Sequence, residues 1–354
     1  MFHKKLLITL IVFAAAGSAA ALLPGESNGG AKAPRTIGMI DENGAEGFVS
    51  AFETGGRSAA KALGDHLAVS RANDTPTRIS TIKSLVAQHA AAIAIHTGDP
   101  AAAKQVLPAL ARARAAGIPT LSYELRSPGS IWVTQGSPAQ FAQLLGDALA
   151  SQMQQQGQFV IVSCLRSAGA YPIVGTWLKF TKAYIQRRYP QMQRVGVAYG
   201  DLGNGDVDTH LFNRLMRAHP QLRGLIFLCP GEAYNQPPLL VQAHKVGEVF
   251  TAGNAGDCPP LDDPYLTSVR LGAEEIVCPG DPAKLGYLTV WAAHYLASGH
   301  RFRPGSYDVG GPVGTVQYFS HNKELRLGQP LTITKANLDQ YAGRPCPPGT
   351  TYPC

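Results

Sequence analysis

Short apolar runs alternate along this chain with longer segments in which apolar residues recur at helical spacing. The runs at 36–41, 66–72, 92–97 and 118–124 begin 30, 26 and 26 residues apart, the spacing of strand-helix-strand units. Between them, 47–64, 77–89 and 101–116 carry helical periodicity, and two of these stretches stop at Gly, a common helix terminator. The pattern predicts a parallel sheet with helices on both faces.

A further β-like run starts at Ile131 and ends in polar Gln135, and an amphipathic helix opens at Pro138 (IWVTQGSPAQFAQLLGDALASQM). The pattern then restarts, with strands expected at 158–163, 194–199, 224–229 and 248–253, beginning 36, 30 and 24 residues apart. Helices are expected at 138–156, 171–189, 206–219 and 234–246, and again at 283–298. The chain therefore reads as α/β, with two Rossmann-like, doubly wound units that each own a parallel sheet.

Open parallel sheets bind ligands beyond the carboxyl ends of their strands. Polar and aromatic residues collect in those positions here. The first unit offers Asp41, Glu42, Asn43 and Phe48 after its first strand, His96 after the third, and Tyr123 and Glu124 after the fourth. The second offers Arg166, Tyr171, Glu232, Asn254 and Asp257. Glu42 and Glu124, with Asp41, make the first wall acidic, which favours polyols, amines or a cation over a carboxylate ligand. Arg166 could answer that charge or grip a ligand oxygen through its fork of donors.

Composition narrows the class. Residues 1–21 read as a signal peptide, with Lys4 and Lys5, an apolar core and small residues before the cut; 22–35 read as a flexible leader. Export to the periplasm is expected. The net charge is +7, or +5 without Lys4 and Lys5, and its basic residues are scattered, so no nucleic-acid footprint is present. GxSxG, HExxH, P-loop and GxGxxG patterns are missing, so no catalytic residue, cofactor or metal is assigned. The acidic loop from Asp201 to Asp208 lacks the Gly and terminal Glu of a calcium loop, and helix capping by Asp206 is the better reading.

Six cysteines in an exported chain point to disulfides, in any of 15 pairings. Cys346 and Cys354 bound a Pro/Gly-rich tail that a local bridge would tie down. Cys164 and Cys229 each end a predicted strand, and Cys258 with Cys278 is an equally plausible pair.

Five segments in order, GFVSAF, AAGIPTLSYE, WVTQGSPAQFAQLLGDALA, HPQLRGLIFLCP and ITKANLDQY, make the chain resemble type I periplasmic substrate-binding proteins of ABC transporters. The resemblance runs from Thr36 to Tyr341 and is nearest to the rhamnose and autoinducer-2 binders. It implies two lobes, 36–135 plus 272–300 and 136–271 plus 301–345, joined by a multi-crossing hinge and followed by a Cys-bounded tail, 346–354. In the strand order it implies, the strands ending at Cys164 and Cys229 are neighbours. Crossings are expected near Gln135, near Arg270-Leu271 and after the helix at 283–298.

The resemblance further implies a small-molecule, sugar-like ligand, a monomer, and a partner that is an ABC permease or, alternatively, a membrane sensor or kinase. Phe48 stands where the family often stacks an aromatic ring on a sugar. Pro230 matches a family Pro. Elsewhere the site departs: Glu42 replaces the autoinducer-2 binders' usual Lys, Glu124 replaces their Asp, and GAYPIV at 169–174 lacks their Asp-Gln pair.

Overall fold

A computed structural model describes residues 34–41, 46–96, 100–123, 125–164, 172–200, 205–255 and 263–340. The first half runs β1 (Thr36–Asp41), α1 (Glu46–Leu63), β2 (His66–Arg71), α2 (Thr75–Ala87), β3 (Ala92–His96), α3 (Pro100–Ala115), β4 (Thr120–Tyr123) and β5 (Ile131–Thr134). The second runs α4 (Pro138–Gln152), β6 (Gly157–Ser163), α5 (Pro172–Arg188), β7 (Met192–Tyr199), α6 (Gly205–Ala218), β8 (Leu222–Phe227), α7 (Pro230–Gln242), β9 (Phe250–Asn254), α8 (Asp263–Leu271) and β10 (Glu274–Cys278). The chain continues through α9 (Pro282–Ala297), β11 (Gly305–Asp308), β12 (Thr315–Phe319), β13 (Glu324–Arg326) and β14 (Leu331–Ile333) to a short 3-10 turn at Leu338–Gln340.

These elements build two sheets. One has eight strands in the order β11-β12-β13-β5-β4-β3-β1-β2, the other six in the order β14-β10-β9-β8-β6-β7. The β1 to β5 pairings and the β6 to β10 pairings are parallel. Strands such as β1 and β3 are buried almost throughout, as expected when helices cover both faces. The expected strands and helices fall in place within a few residues.

Three features depart from the sequence reading. The sheets are mixed: β11, β12 and β13 form an antiparallel meander, and β14 runs antiparallel to β10. Sheet membership moves the lobe boundaries, because β10 belongs to the six-stranded sheet while β11 to β13 extend the eight-stranded one. Residues 272–278 therefore side with the second unit, and 301–326 with the first. The short, half-exposed strands of the meander carry little alternation to announce them. Finally, α7 starts at Pro230, four residues before the expected Tyr234, since Pro is well suited to the first helical position.

The first unit's core depends on α9. Asp281 caps it by accepting the Ala283 and Lys284 amides at 2.9 and 3.2 Å, and Pro282 opens its first turn. Leu285, Leu288, Val290, Ala292 and Ala293 are buried, so the helix is wedged between α1 and the sheet. The two helices approach closely enough that a Cβ at Gly286 would strike the Phe52 carbonyl, and one at Gly55 the Ala283 carbonyl. Gly286→Ala is expected to cost about 1–3 kcal/mol through overpacking against rigid backbone, read as a lower urea midpoint at unchanged m-value.

The second unit buries an acid. Glu274, at the start of β10, is 2% exposed, and neither carboxyl oxygen has a hydrogen-bond partner among the described residues. Burial pushes its pKa well above the ordinary Glu value, so the folded chain holds the acid neutral where the unfolded chain ionises. Stability from this group is complete below the unfolded value of about 4.3 and declines as pH rises towards the folded one. Melting curves between pH 5 and 8 should show wild type losing ground to Glu274→Gln as pH rises; a constant gap would contradict this assignment.

Candidate functional site

The carboxyl ends of β1, β3 and β4 bring Asp41, His96 and Tyr123 together, because β1 and β3 pair in register with Ile40 beside Ile95, and β3 and β4 with His96 beside Tyr123. His96 Nδ1 lies 3.2 Å from Asp41 Oδ1. The His96 ring stacks on Tyr123 at 5.0 Å and 8° between planes, and Tyr123 stacks in turn on Phe52 at 4.2 Å. Phe48, one helical turn before Phe52, continues the series at 6.2 Å. Four rings thus run from the first turns of α1 across the sheet edge to a buried carboxylate.

Burial sorts these residues. Tyr123, Phe52 and Asp41 are 0% exposed and His96 is 8% exposed, whereas Phe48 is only partly buried. Tyr123 is packed between the Phe52 and His96 rings, and its hydroxyl donates to the Ile40 carbonyl at 3.4 Å. Phe52 escaped the sequence reading, although its i, i+4 relation to Phe48 in α1 was a usable signal.

A second group of strand-end residues comes from the second sheet. Cys164 follows β6 and Cys229 follows β8, and because those strands are neighbours the residues meet: they form a disulfide with Cα atoms 5.8 Å apart. Asn254, at the end of β9, donates through Nδ2 to the Leu228 carbonyl at 3.0 Å and so ties a third strand end to the same point. Pro230 and Glu232 occupy the first turn of α7, and Glu232 is fully buried. Cys278 is buried at the end of β10.

Glu42, Asn43, Glu124, Arg166, Tyr171, Asp257, Cys258, Cys346 and Cys354 lie outside the described residues. Arg270 does not join the others. It sits in the last turn of α8, exposed, where that helix returns to the starting ends of the strands. The crossing expected there lies instead between β10 and α9, at Pro279 and Gly280, and the third lies between β13 and β14 rather than directly after α9.

Gln135 does lie at a crossing. A Cβ on Gly280 would come within 2.7 Å of Gln135 Cβ, the Gly328 amide donates to the Gln135 carbonyl at 3.3 Å, and the Leu327 amide to the Thr134 carbonyl at 2.8 Å. All three crossings are therefore in contact. A recess beside them is lined by Trp132, Gln135, Phe141, Trp177, Pro279 and Pro330, drawn from both units; neither Trp had a signal that could have singled it out.

Residues 37–301 match the family described as periplasmic binding protein domain. The chain belongs to that family. Membership places this periplasmic binding protein among solute binders rather than enzymes. Its fold is shared with a sugar ABC transporter protein from Actinomyces odontolyticus at 23% identity and TM-score 0.74, 87% of this chain covering 97% of that one. An L-rhamnose-bound solute-binding protein from Clostridium phytofermentas aligns at 19% identity and TM-score 0.65, with 87% and 98% of the two chains covered. An AI-2-bound LsrB from Clostridium saccharobutylicum aligns at 18% identity and TM-score 0.66, with 86% and 99% covered. No helix among the described residues is long and apolar enough to cross a membrane.

One buried carboxylate joins two crossings of this binding protein. Glu324 Oε1 accepts from Thr134 Oγ1 and from Arg326 Nε, each at 2.9 Å, and Oε2 accepts from Asn322 Nδ2 at 2.7 Å. Burial alone would raise the carboxyl's pKa, but the bonds from Arg326, Asn322 and Thr134 together outweigh it and hold the group below the ordinary Glu range. Its stabilising effect is present above the unfolded value of about 4.3 and is lost as pH falls through the folded one. Glu324→Gln should cost about 1–3 kcal/mol at pH 7. Denaturant melts should show that deficit shrinking as pH drops below the Glu range.

Proposed function

We propose that this periplasmic binding protein captures a small, polar, sugar-like solute between the carboxyl edges of its two sheets and delivers the closed form to an ABC importer. The observation that carries the reading is the Phe48-Phe52-Tyr123-His96-Asp41 series. It sets a partly exposed aromatic ring and a buried carboxylate with its His partner at the same strand ends. Aromatic faces cover sugar C–H groups, and carboxylates accept from hydroxyls. The L-rhamnose and AI-2 carried by two of its structural relatives support the same ligand class.

By sequence, Glu42 and Glu124 directly follow Asp41 and Tyr123, which adds to the acidic character of the first wall and disfavours anionic ligands. Arg166, Tyr171, Pro230, Glu232 and Asn254 would supply the opposing wall, and Gln135 the hinge side. A ligand that touches both walls has its full set of contacts only when the lobes close, so binding shifts the population to the form a permease would receive. A monomer exported with loss of residues 1–21 completes the proposal.

A thermal-shift screen over pentoses, hexoses, 6-deoxyhexoses, polyols and sugar acids tests it. Neutral sugars or polyols should raise the melting temperature, with about 2.7 kcal/mol of stabilisation at a hundredfold excess over Kd, and Phe48→Ala should weaken the best ligand about 10-fold or more. A response confined to sugar acids, or none to any member of the panel, would refute the reading.

A further inference from the structure

We infer that the cysteine pair of the second wall, when reduced, forms with Glu232 a binding site for a thiophilic metal ion such as Zn2+. Sγ of Cys164, Sγ of Cys229 and a carboxylate oxygen of Glu232 all lie within 4.8 Å of one another. The three residues are 3%, 1% and 0% exposed. Donors around a tetrahedral Zn2+, with Zn–S near 2.3 Å and Zn–O near 2.1 Å, are separated by about 3.5 Å. Sulfurs released from a disulfide bond of about 2.05 Å must part by roughly 1.7 Å to reach the sulfur spacing of such a site, a movement within reach of side-chain rotation.

The local electrostatics suit thiolate ligation. Cys229 stands at the N-cap position of α7, though its side chain makes no cap hydrogen bond, and its Sγ accepts the Cys164 backbone N–H at 3.2 Å. Both features favour the thiolate over the thiol. Two thiolates and a carboxylate bring three negative charges to a divalent ion, and the remaining negative charge faces the positive end of a 13-residue helix. Soft sulfur ligands select Zn2+ or Cu+ over hard cations, and a fourth position is left for water.

Disulfide and metal exclude each other because the same sulfurs serve both. An external dithiol supplies the two electrons. Its thiolate attacks one sulfur, the S–S bond breaks, and its second thiol resolves the mixed disulfide, so that the reagent leaves as a cyclic disulfide and Cys164 and Cys229 remain as thiols. Metal binding then releases the two thiol protons to solvent. The site does not depend on the sugar-binding reading.

The test uses the full mature protein, oxidised or reduced anaerobically with dithiothreitol and freed of reagent, titrated with Zn2+ against a competing chelator. Reduced wild type should bind one more equivalent than reduced Cys164→Ser/Cys229→Ser, and the oxidised protein should lack it. Glu232→Gln should weaken that equivalent about tenfold or more, and bound Zn2+ should slow reoxidation of the pair on exposure to air. Equal zinc binding by reduced wild type and the double variant would overturn the proposal, as would an affinity unmoved in Glu232→Gln. Glu232→Gln keeps all six cysteines, so its comparison with reduced wild type isolates this site even if the double variant folds poorly.

Discussion

The structure depends on the contact among three chain crossings. The backbone passes between the sheets at Gln135-Gly136, at Pro279-Gly280 and between β13 and β14, and the passages touch: Gly280 against Gln135, Gly328 and Leu327 hydrogen-bonded to Gln135 and Thr134. Three parallel connections restrict two bodies to a narrow range of relative motion, chiefly a hinge. They also set which edges of the sheets belong together. Glu324 reinforces the arrangement from within the eight-stranded sheet by holding Thr134 and Arg326 at once.

The two walls are rigid for different reasons. The first is held by stacked rings packed into a core that α9 completes, and dispersion and apolar burial supply its stiffness, at about 1.5–3 kcal/mol for each large side chain. The second is held by a covalent bridge and by the Asn254 amide, which bind the ends of β6, β8 and β9 to one another. A binding protein gains affinity when its walls need little ordering on capture. The covalent wall is also the one whose chemistry can change, since its two sulfurs and Glu232 are already gathered.

Much of the fold was legible along the chain. The parallel strands announce themselves as short apolar runs at regular intervals, and Pro138 and Gly117 punctuate helices by local backbone rules. The meander at β11 to β13 was not legible, because β11 and β13 are four and three residues long with no alternation, and the alternation of β12 spans only five residues. The family resemblance implied a crossing at Arg270-Leu271. In fact the chain goes on to lay down β10 in the same sheet before it crosses.

The sequence by itself determined the α/β class, the two units and the residues at the strand ends, because each follows from local periodicity and from the polarity of parallel strands, while the first crossing came from the family resemblance. Only the tertiary structure decided which of those residues meet. It stacked Tyr123 between Phe52 and His96, set His96 against Asp41, joined Cys164 to Cys229 and sent Arg270 to the far edge. The physical reason is that strand order, register and helix packing are long-range. They pair positions scores of residues apart, and nothing in the spacing along the chain encodes that choice.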